Sequence, residues 1–170
     1  MHDKRASTVT DDVVQLIPSL RAYSRALIRH SDEADDLVQE TLMKAIANVG
    51  RFEPGTNLRA WLFTIMRNTF YTNVQKRIRE SPAAADCASL QAITQANNGS
   101  YIEGQRILKA IDQLPEHHRE ILVLVVVLGE SYEDAAIICN CAVGTIKSRV
   151  SRARKMIIDQ IGVGDFHEIF

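Results

Sequence analysis

The chain of 170 residues carries 20 Lys and Arg against 21 Asp and Glu, for a net charge of −1, and 46% of it is hydrophobic. This hydrophobic content supports folded cores and excludes a disordered chain. The longest apolar run, residues 121–128, is far shorter than the roughly 20 residues of a membrane-spanning helix. Because the N-terminus offers no apolar stretch for a signal peptide and the cysteines number three, we expect a cytoplasmic protein with reduced thiols and no membrane partner.

The charges are segregated along the chain. Residues 31–43 contain five acids and no base, whereas residues 55–79 and 135–158 each contain five bases and no acid. This distribution indicates one contact with a protein and two contacts with DNA. Solvated helix faces are the alternative that charge alone leaves open.

Apolar residues at helical spacing predict helices from the start of the sequence. The first covers residues 13–28, with Pro18 either in its first turn or at a kink. Ser31 is predicted to cap a second, acidic helix, and Gly50 is predicted to end it.

A loop rich in helix breakers, residues 51–56, follows, and Asn57 is predicted to cap a third helix that ends in basic residues. Residues 81–100 have small and polar residues and no hydrophobic period, which is typical of a flexible linker. We therefore predict an all-α fold of two small helical domains, residues 1–80 and 101–170, joined by this linker.

Three signals predict the helices in the C-terminal part of the second domain. Ser131 is placed to cap a helix over residues 132–139, Asn140 to end it in the left-handed conformation, and a last helix is predicted from about residue 144 to 161. Before them, Pro115 is predicted to begin a helix over residues 116–128, whose very apolar end is either buried or a partner surface.

A helix of two turns, a tight turn and a basic helix form the helix-turn-helix arrangement, which places its second helix in the major groove of DNA. An ordinary amphipathic terminal helix, the alternative, has no need of an acid-free stretch after such a turn. The outward residues that we predict to bind DNA are Gly144, Thr145, Lys147, Ser148, Arg149, Ser151 and Arg152.

Residues 114–120, 129–134 and 142–155 resemble region 4 of the extracytoplasmic-function sigma factors of bacterial RNA polymerase. The resemblance implies that residues 101–170 bind the −35 element of promoters. Other helix-turn-helix regulators share parts of this pattern, so the N-terminal half must distinguish between them.

Residues 32–42 resemble region 2.2 of the same family, which implies docking on core RNA polymerase. Acceptors on one side of the helix suit a basic partner surface, whereas pairing with the helix dipole explains only the acids of the first turn. The residues that we predict to bind core polymerase are Asp32, Asp35, Asp36, Leu37, Gln39 and Glu40.

Residues 52–68 resemble regions 2.3 and 2.4, which implies recognition and melting of the −10 element. Melting requires a pocket for an unstacked base and cations along the separated strand. Trp61 lies on the apolar stripe, so a core role is favoured over stacking for it. The residues that we predict to bind the −10 element are Arg51, Phe52, Asn57, Arg59, Arg67, Asn68, Tyr71, Asn73, Lys76 and Arg77.

The combined pattern looks closest to the general-stress-response branch known in alphaproteobacteria. This resemblance implies core RNA polymerase, promoter DNA and an anti-sigma factor as partners, the last released by a response regulator with a sigma-like domain. No small-molecule substrate is expected.

Cys139, Cys141, His117 and His118 suggest a zinc site, but no second cysteine pair completes a tetrahedral set, and core packing is favoured. The sequence contains no P-loop, no dinucleotide fingerprint and no His-Glu-x-x-His motif. We expect no cofactor, no metal and no catalytic site, and hence a protein that is not an enzyme.

Three functions remain. A sigma factor accounts for the acidic helix and both basic segments. A sigma-like decoy that occupies an anti-sigma factor is disfavoured by the basic run at residues 147–155, because a decoy has no need to bind DNA. A stand-alone repressor or activator is disfavoured by the acidic helix and the −10-like segment.

Overall fold

The computed structural model describes residues 2–80 and 102–162, with side chains for residues 12–80 and 105–162. Its helices are α1 (His2–Leu27), α2 (Ser31–Ala47), α3 (Leu58–Glu80), α4 (Ile102–Gln113), α5 (Glu116–Leu122), α6 (Tyr132–Cys139) and α7 (Val143–Ile161). A 3₁₀ turn at Val49–Arg51 follows α2, and a π-helical segment at Val123–Val127 follows α5. The described ranges contain no strand, which confirms the all-α prediction, whereas the predicted linker lies outside them.

The three N-terminal helices pack around large apolar side chains. Leu20 of α1 and Leu62, Phe63 and Met66 of α3 are completely buried. The ring of Tyr23 lies 4.9 Å from that of Phe63, centroid to centroid, and is tilted to it. Burial of each such side chain contributes about 1.5–3 kcal/mol, which holds α3 in place against α1.

The predicted start and end of α2 are wrong by a few residues. His30 takes the capping position, and Ser31 is the first helical residue, its hydroxyl donating to the Asp32 carboxylate at 3.2 Å. The helix ends three residues before Gly50, which lies in the 3₁₀ turn. Pro18 lies inside α1, so its alternative place in a first turn is also wrong.

Predicted caps elsewhere are confirmed. The Asn57 side-chain oxygen accepts a hydrogen bond from the backbone N–H of Ala60 at 3.1 Å, where α3 begins. The Ser131 hydroxyl accepts one from the backbone N–H of Asp134 at 2.9 Å, where α6 begins. Asn140 ends α6 with φ 48° and ψ 52°, the left-handed conformation that asparagine tolerates.

The apolar run after α5 departs from the predicted helix. Its backbone widens into a π turn, in which the N–H of Leu128 donates to the carbonyl of Val123, five residues back, at 2.9 Å. Ile121, Leu122, Val123 and Leu124 are buried, and Val127 is 50% exposed. Burial rather than a partner surface is therefore the role of most of this run.

One continuous apolar core joins the two halves of the chain. Helix α1 packs against α5, and α3 packs against α6. The side chains that carry charge at this junction belong to the site described next.

Candidate nucleic-acid and polymerase interfaces

Helix α7 has one buried side and one exposed side. Ile146, Val150, Ala153 and Ile157 recur at helical spacing and are buried against the rest of the C-terminal half. The opposite side consists of residues that the sequence predicts to bind DNA. Of these, Gly144, Lys147, Ser148, Ser151 and Arg152 are exposed, and Thr145 and Arg149 are half-buried.

The cations of this exposed side are not neutralised by the described part of the chain. Lys147, Arg149, Arg152 and Lys155 form no ion pair with another described residue, and Lys147 lies 6.0 Å from the ring of Tyr132. A helix with a row of unpaired cations attracts the phosphates of a DNA duplex.

A groove lies between α2 and α3. Its volume is about 320 Å³, and it is lined by Lys44, Asn48, Arg51, Trp61, Ile65, Asn68, Thr69 and Thr72. A second groove of about 360 Å³, lined by Arg67, Asn68, Tyr71, Thr72 and Gln75, shares two of these residues and continues along α3. An aromatic wall with a polar and basic rim suits an unstacked base of single-stranded DNA.

Trp61 combines the two roles considered for it, packing in the core and lining a surface on which a base could stack. Its ring is half-buried and lies 5.3 Å from the ring of Phe52, centroid to centroid, while it also lines the groove. Phe52 supports Trp61 from the loop before α3. The two aromatic residues therefore form one unit, which the sequence alone treats as two candidates.

The end of α3 binds acids of α2. The Asn73 amide donates to the Glu40 carboxylate at 2.8 Å, and Arg77 pairs with Glu33 at 3.0 Å. Among the described residues, Lys76 pairs only with Glu80 of its own helix, at 3.8 Å. Residues predicted for DNA and residues predicted for polymerase thus lie on adjoining surfaces and contact one another.

The acidic side of α2 is open to solvent. Asp32, Asp35, Asp36 and Gln39 are exposed, and Asp35 has a long 3.7 Å contact with Arg21. These acceptors remain accessible to a basic partner surface.

Two members of the predicted polymerase set are not simply exposed. Leu37 is 3% exposed and lies in the core of the N-terminal half, where it positions the acidic side of α2 and offers little surface to a partner. Glu40 is half-buried, and a hydrogen bond from Lys44 at 2.8 Å is the main cause that holds the pKa of its carboxyl below the usual range.

Sequence reasoning missed two apolar residues on the exposed side of α2. Met43 is 71% exposed and Ile46 is 67% exposed, and both continue the helical row of Asp36 and Gln39 at spacings of three and four residues. Apolar residues of a helix usually pack in a core, whereas the position of these two beyond an exposed acidic row is the signal that could have found them.

A third side of α3 faces the C-terminal half of the chain. Each polar residue on this side that was predicted to bind the −10 element contacts a carboxylate. The pairs are Asn57 with Asp134 at 3.2 Å, Arg59 with Glu130 at 2.7 Å, Arg67 with Glu120 at 2.8 Å, and Tyr71 with Glu116 at 3.1 Å. Arg59 also donates to the carbonyl of Leu128.

Glu120 is the centre of this contact. Its carboxylate accepts hydrogen bonds from the hydroxyl of Tyr23 at 2.8 Å, from Arg67 at 2.8 Å and from the hydroxyl of Tyr71 at 3.4 Å. Burial, followed by the negative charge of Glu120, raises the pKa of both tyrosines, and the same charge raises the pKa of Arg67 despite its burial. Hydrogen bonds from several donors offset the cost of burying a carboxylate.

The thiol of Cys139 is buried on α6, as core packing predicts. Burial, aided by the charge of Glu120, raises the pKa of this thiol to about 12. Within residues 12–80 and 105–162, no three His, Cys, Asp or Glu side chains form a group that could hold a metal ion.

A helix-turn-helix whose basic face is unpaired among the described residues, together with a helical bundle that carries an acidic helix, is typical of a DNA-binding regulator of transcription. Residues 13–67 match the family model of the sigma2 domain of PhyR, and residues 104–157 match that of sigma-70 region 4. None of the described helices is long and apolar enough to cross a bilayer.

Known proteins are similar over most of the chain. The ECF RNA polymerase sigma factor EcfG of Rhodopseudomonas palustris is 49% identical over 150 residues, which are 88% of this chain and 83% of that protein. SigC of Mycobacterium tuberculosis is 35% identical over 127 residues, 74% and 68% of the two chains. The chain therefore belongs to the extracytoplasmic-function family of RNA polymerase sigma factors.

A solved structure agrees with this assignment. The sigma factor RpoE of Bartonella quintana, in complex with the anti-sigma factor NepR, is 46% identical and superposes with a TM-score of 0.79. The superposition covers 92% of this chain and 98% of the other.

Proposed function

We propose that this sigma factor binds core RNA polymerase and directs it to the promoters of a stress-response regulon. The observation that carries the proposal is the exposed side of α7, where Lys147, Arg149 and Arg152 are unpaired within the described chain. This helix is the second helix of the helix-turn-helix formed with α6. The 49% identity to EcfG, whose branch serves the general stress response, supports the choice of regulon.

The −35 element binds α7 in this proposal. Gly144 and Thr145 at the start of the helix and Ser148 and Ser151 beyond them bind phosphates, while Arg149 reaches a base edge in the major groove.

The −10 element binds the groove between α2 and α3. An unstacked base lies against the Phe52–Trp61 pair, and Arg51 and Asn68 contact the adjoining backbone. Further along α3, Arg67 and Tyr71 continue the path of the strand through the second groove.

Core polymerase binds the exposed side of α2. Asp32, Asp35 and Asp36 meet basic residues of the partner, while Met43 and Ile46 bury apolar surface against it. The partner surface complementary to this row is basic at one end and apolar at the other.

The proposed domains are residues 1–80, which hold polymerase and the −10 element, and residues 101–170, which hold the −35 element, with residues 81–100 as the linker. An anti-sigma factor is a further proposed partner, supported by the NepR complex of the similar RpoE. The protein needs no cofactor and has no catalytic activity of its own, and its proposed place of action is the cytoplasm, where polymerase and chromosome meet.

The test is run-off transcription with bacterial core polymerase, fragments of genomic DNA and the purified chain. Transcripts that depend on the added protein, and that are lost with Arg149→Ala/Arg152→Ala, are expected. The matched control Arg106→Ala removes an exposed cation from α4 and keeps transcription. An absence of transcripts together with an absence of core binding would contradict the proposal.

A second candidate is a decoy that occupies an anti-sigma factor, favoured by the match of residues 13–67 to a PhyR domain. The unpaired cations of α7 argue against it, because a decoy has no need to bind duplex DNA. Binding of an anti-sigma factor without protein-dependent transcripts would favour the decoy.

A further inference from the structure

His118 is a buried histidine on α5, the helix that packs directly against α7. The residue is 6% exposed. Neither ring nitrogen has a hydrogen-bond partner among the described residues, although both atoms are buried. Burying a polar group without a partner costs free energy, so packing alone does not account for an imidazole at this position. The proposed function gives the side chain no role either.

The charges that act on His118 are all positive. Burial is the main cause that lowers the pKa of its ring, and the charges of His117, Arg149 and Arg152 lower it further. The ring of His117 lies 4.1 Å from that of His118, centroid to centroid, and Arg149 is half-buried on α7. We call these four side chains the α5–α7 cluster. A proton on His118 is opposed both by lost hydration and by the rest of the cluster.

No described carboxylate pairs with the α5–α7 cluster. On α5, Glu116 and Glu120 bind side chains of α1 and α3 instead, and Arg119 binds the carbonyl of Ala26 at the end of α1. The π-helical segment Val123–Val127, which also packs against α5, has no titratable side chain. The described part of the chain thus leaves the cluster without a balancing negative charge.

Duplex DNA brings that charge to the cluster. Arg149 and Arg152 lie on the side of α7 that is proposed to bind the −35 element, where phosphates approach guanidinium groups. A bound phosphate offsets the positive charge of these arginines, so the repulsion that opposes a proton on His118 becomes weaker. The coupling needs no contact between His118 and DNA, because charges act on one another across a protein surface over several ångströms.

We propose that His118 is a proton-binding site coupled to DNA binding: its ring takes up a proton from solvent when phosphates occupy Arg149 and Arg152. The inference rests on the proposed function of α7. Because coupling between two sites is reciprocal, the protonated ring favours DNA by the same factor by which DNA favours the proton. The complex holds more protons than the free chain, so affinity for DNA rises as the pH falls.

The first measurement is the titration of His118 itself. NMR spectroscopy follows the imidazole signals of the full chain between about pH 8 and 5, the range in which histidines change charge. The titration is repeated with a saturating mixed-sequence duplex of about 20 base pairs, two turns of the double helix. The signal of His118 is assigned by its loss in His118→Leu. The duplex should raise the pKa of His118.

A variant without DNA tests the same electrostatic cause. Arg149→Ala/Arg152→Ala removes the two guanidinium charges from α7, so the pKa of His118 in the free chain should rise as well. Adding the duplex to this variant should then raise the pKa of His118 less than it does in wild type. A histidine with only a packing role would show neither change.

The second measurement is the affinity for the same duplex. Fluorescence anisotropy gives the Kd at about pH 7.5 and 5.5, at one fixed ionic strength because phosphate contacts depend on salt. One unit of pKa difference between the free and bound states changes the Kd by about ten-fold, so on acidification the wild-type Kd should fall about three- to ten-fold more than that of His118→Leu. His118→Gln, which keeps polar atoms, is the second variant if His118→Leu folds poorly. The matched control His117→Gln changes the exposed neighbour and should keep most of the fall.

Two results overturn the proposal. One is the same pKa of His118 with and without the duplex, and the other is a fall in Kd that His118→Leu and His118→Gln both keep. If the duplex binds in either case, the proposed function stands and only the coupling is lost. If the duplex binds at neither pH, the proposed function fails together with the coupling.

Discussion

Arg119 Nε donates a 2.7 Å hydrogen bond to the backbone carbonyl of Ala26, which joins α5 to the last turn of α1. The same guanidinium donates to the carbonyl of Leu114, at the end of α4, at 3.2 Å. Both residues of the first pair are buried. A cation at the C-terminal end of a helix satisfies carbonyls that the helix itself leaves unpaired.

Replacing Arg119 by Met is expected to lower the free energy of unfolding by about 2–3 kcal/mol, because buried carbonyls lose a charged donor. Urea denaturation measures the change. Arg106→Met, at an exposed position of α4, is the matched control and should shift the midpoint little. Equal midpoints for the two variants would contradict a structural role for Arg119.

The double variant Asp35→Lys/Asp36→Lys should abolish binding to core polymerase and keep the fold, because both residues are exposed and their one ion pair with another described residue, Asp35 with Arg21, is long. Co-elution with core polymerase measures binding, and circular dichroism measures the fold. Glu133→Lys reverses an exposed charge on α6 as the control. Retained binding would remove α2 from the polymerase interface.

Arg149→Ala should weaken binding to promoter duplex by about 1–3 kcal/mol if the arginine reads a base edge. A phosphate role would instead weaken binding uniformly across sequences and lower the salt slope of log K by about one. Anisotropy titrations at several salt concentrations on two promoter sequences distinguish these outcomes. If neither affinity nor slope changes, another residue of α7 makes the contact.

The stability of the C-terminal half should fall as the pH drops below about 6.5, the ordinary pKa of histidine. Burial, followed by the charges of His117, Arg149 and Arg152, lowers the pKa of His118, and neither ring nitrogen has a hydrogen-bond partner among the described residues. The unfolded chain then binds more protons than the folded one, so stability is present above this pH and lost below it.

Thermal unfolding tests this pH dependence. Between pH of about 7.5 and 5.5, the wild-type chain should lose more in Tm than His118→Leu, which carries no titrating group at this position. His117→Gln should keep most of the loss, because burial is the main cause of the shift. A loss in Tm that is the same for wild type and His118→Leu would rule out this histidine.

Local chemistry made the helix-turn-helix predictable. The Ser131 cap, the left-handed Asn140 and the buried stripe of α7 each depend on residues within one or two helical turns. The same local signals misplaced both ends of α2. Serine favours the N-cap position and glycine favours the position after a helix, but both residue types also occur inside helical turns, as Ser31 and Gly50 do here.

Contacts between the halves were beyond prediction from one sequence. Tyr23 and Glu120 are separated by 97 residues, and Arg67 and Glu120 by 53. Nothing in the local pattern indicates that basic residues of α3 meet acids of α5 rather than solvent or a partner. The groove beside Trp61 could not be predicted either, because its shape depends on how residues of α2 and α3 pack together.

The buried thiol of Cys139 has a chemical consequence for the C-terminal half. Oxidants and alkylating agents react with thiolates, and a thiol whose pKa is about 12 carries almost no thiolate at neutral pH. Its position inside α6 also keeps peroxide away. We therefore expect peroxide to oxidise this sulfur far more slowly than an exposed thiol, so that the contact between α6 and α7 persists under oxidising conditions.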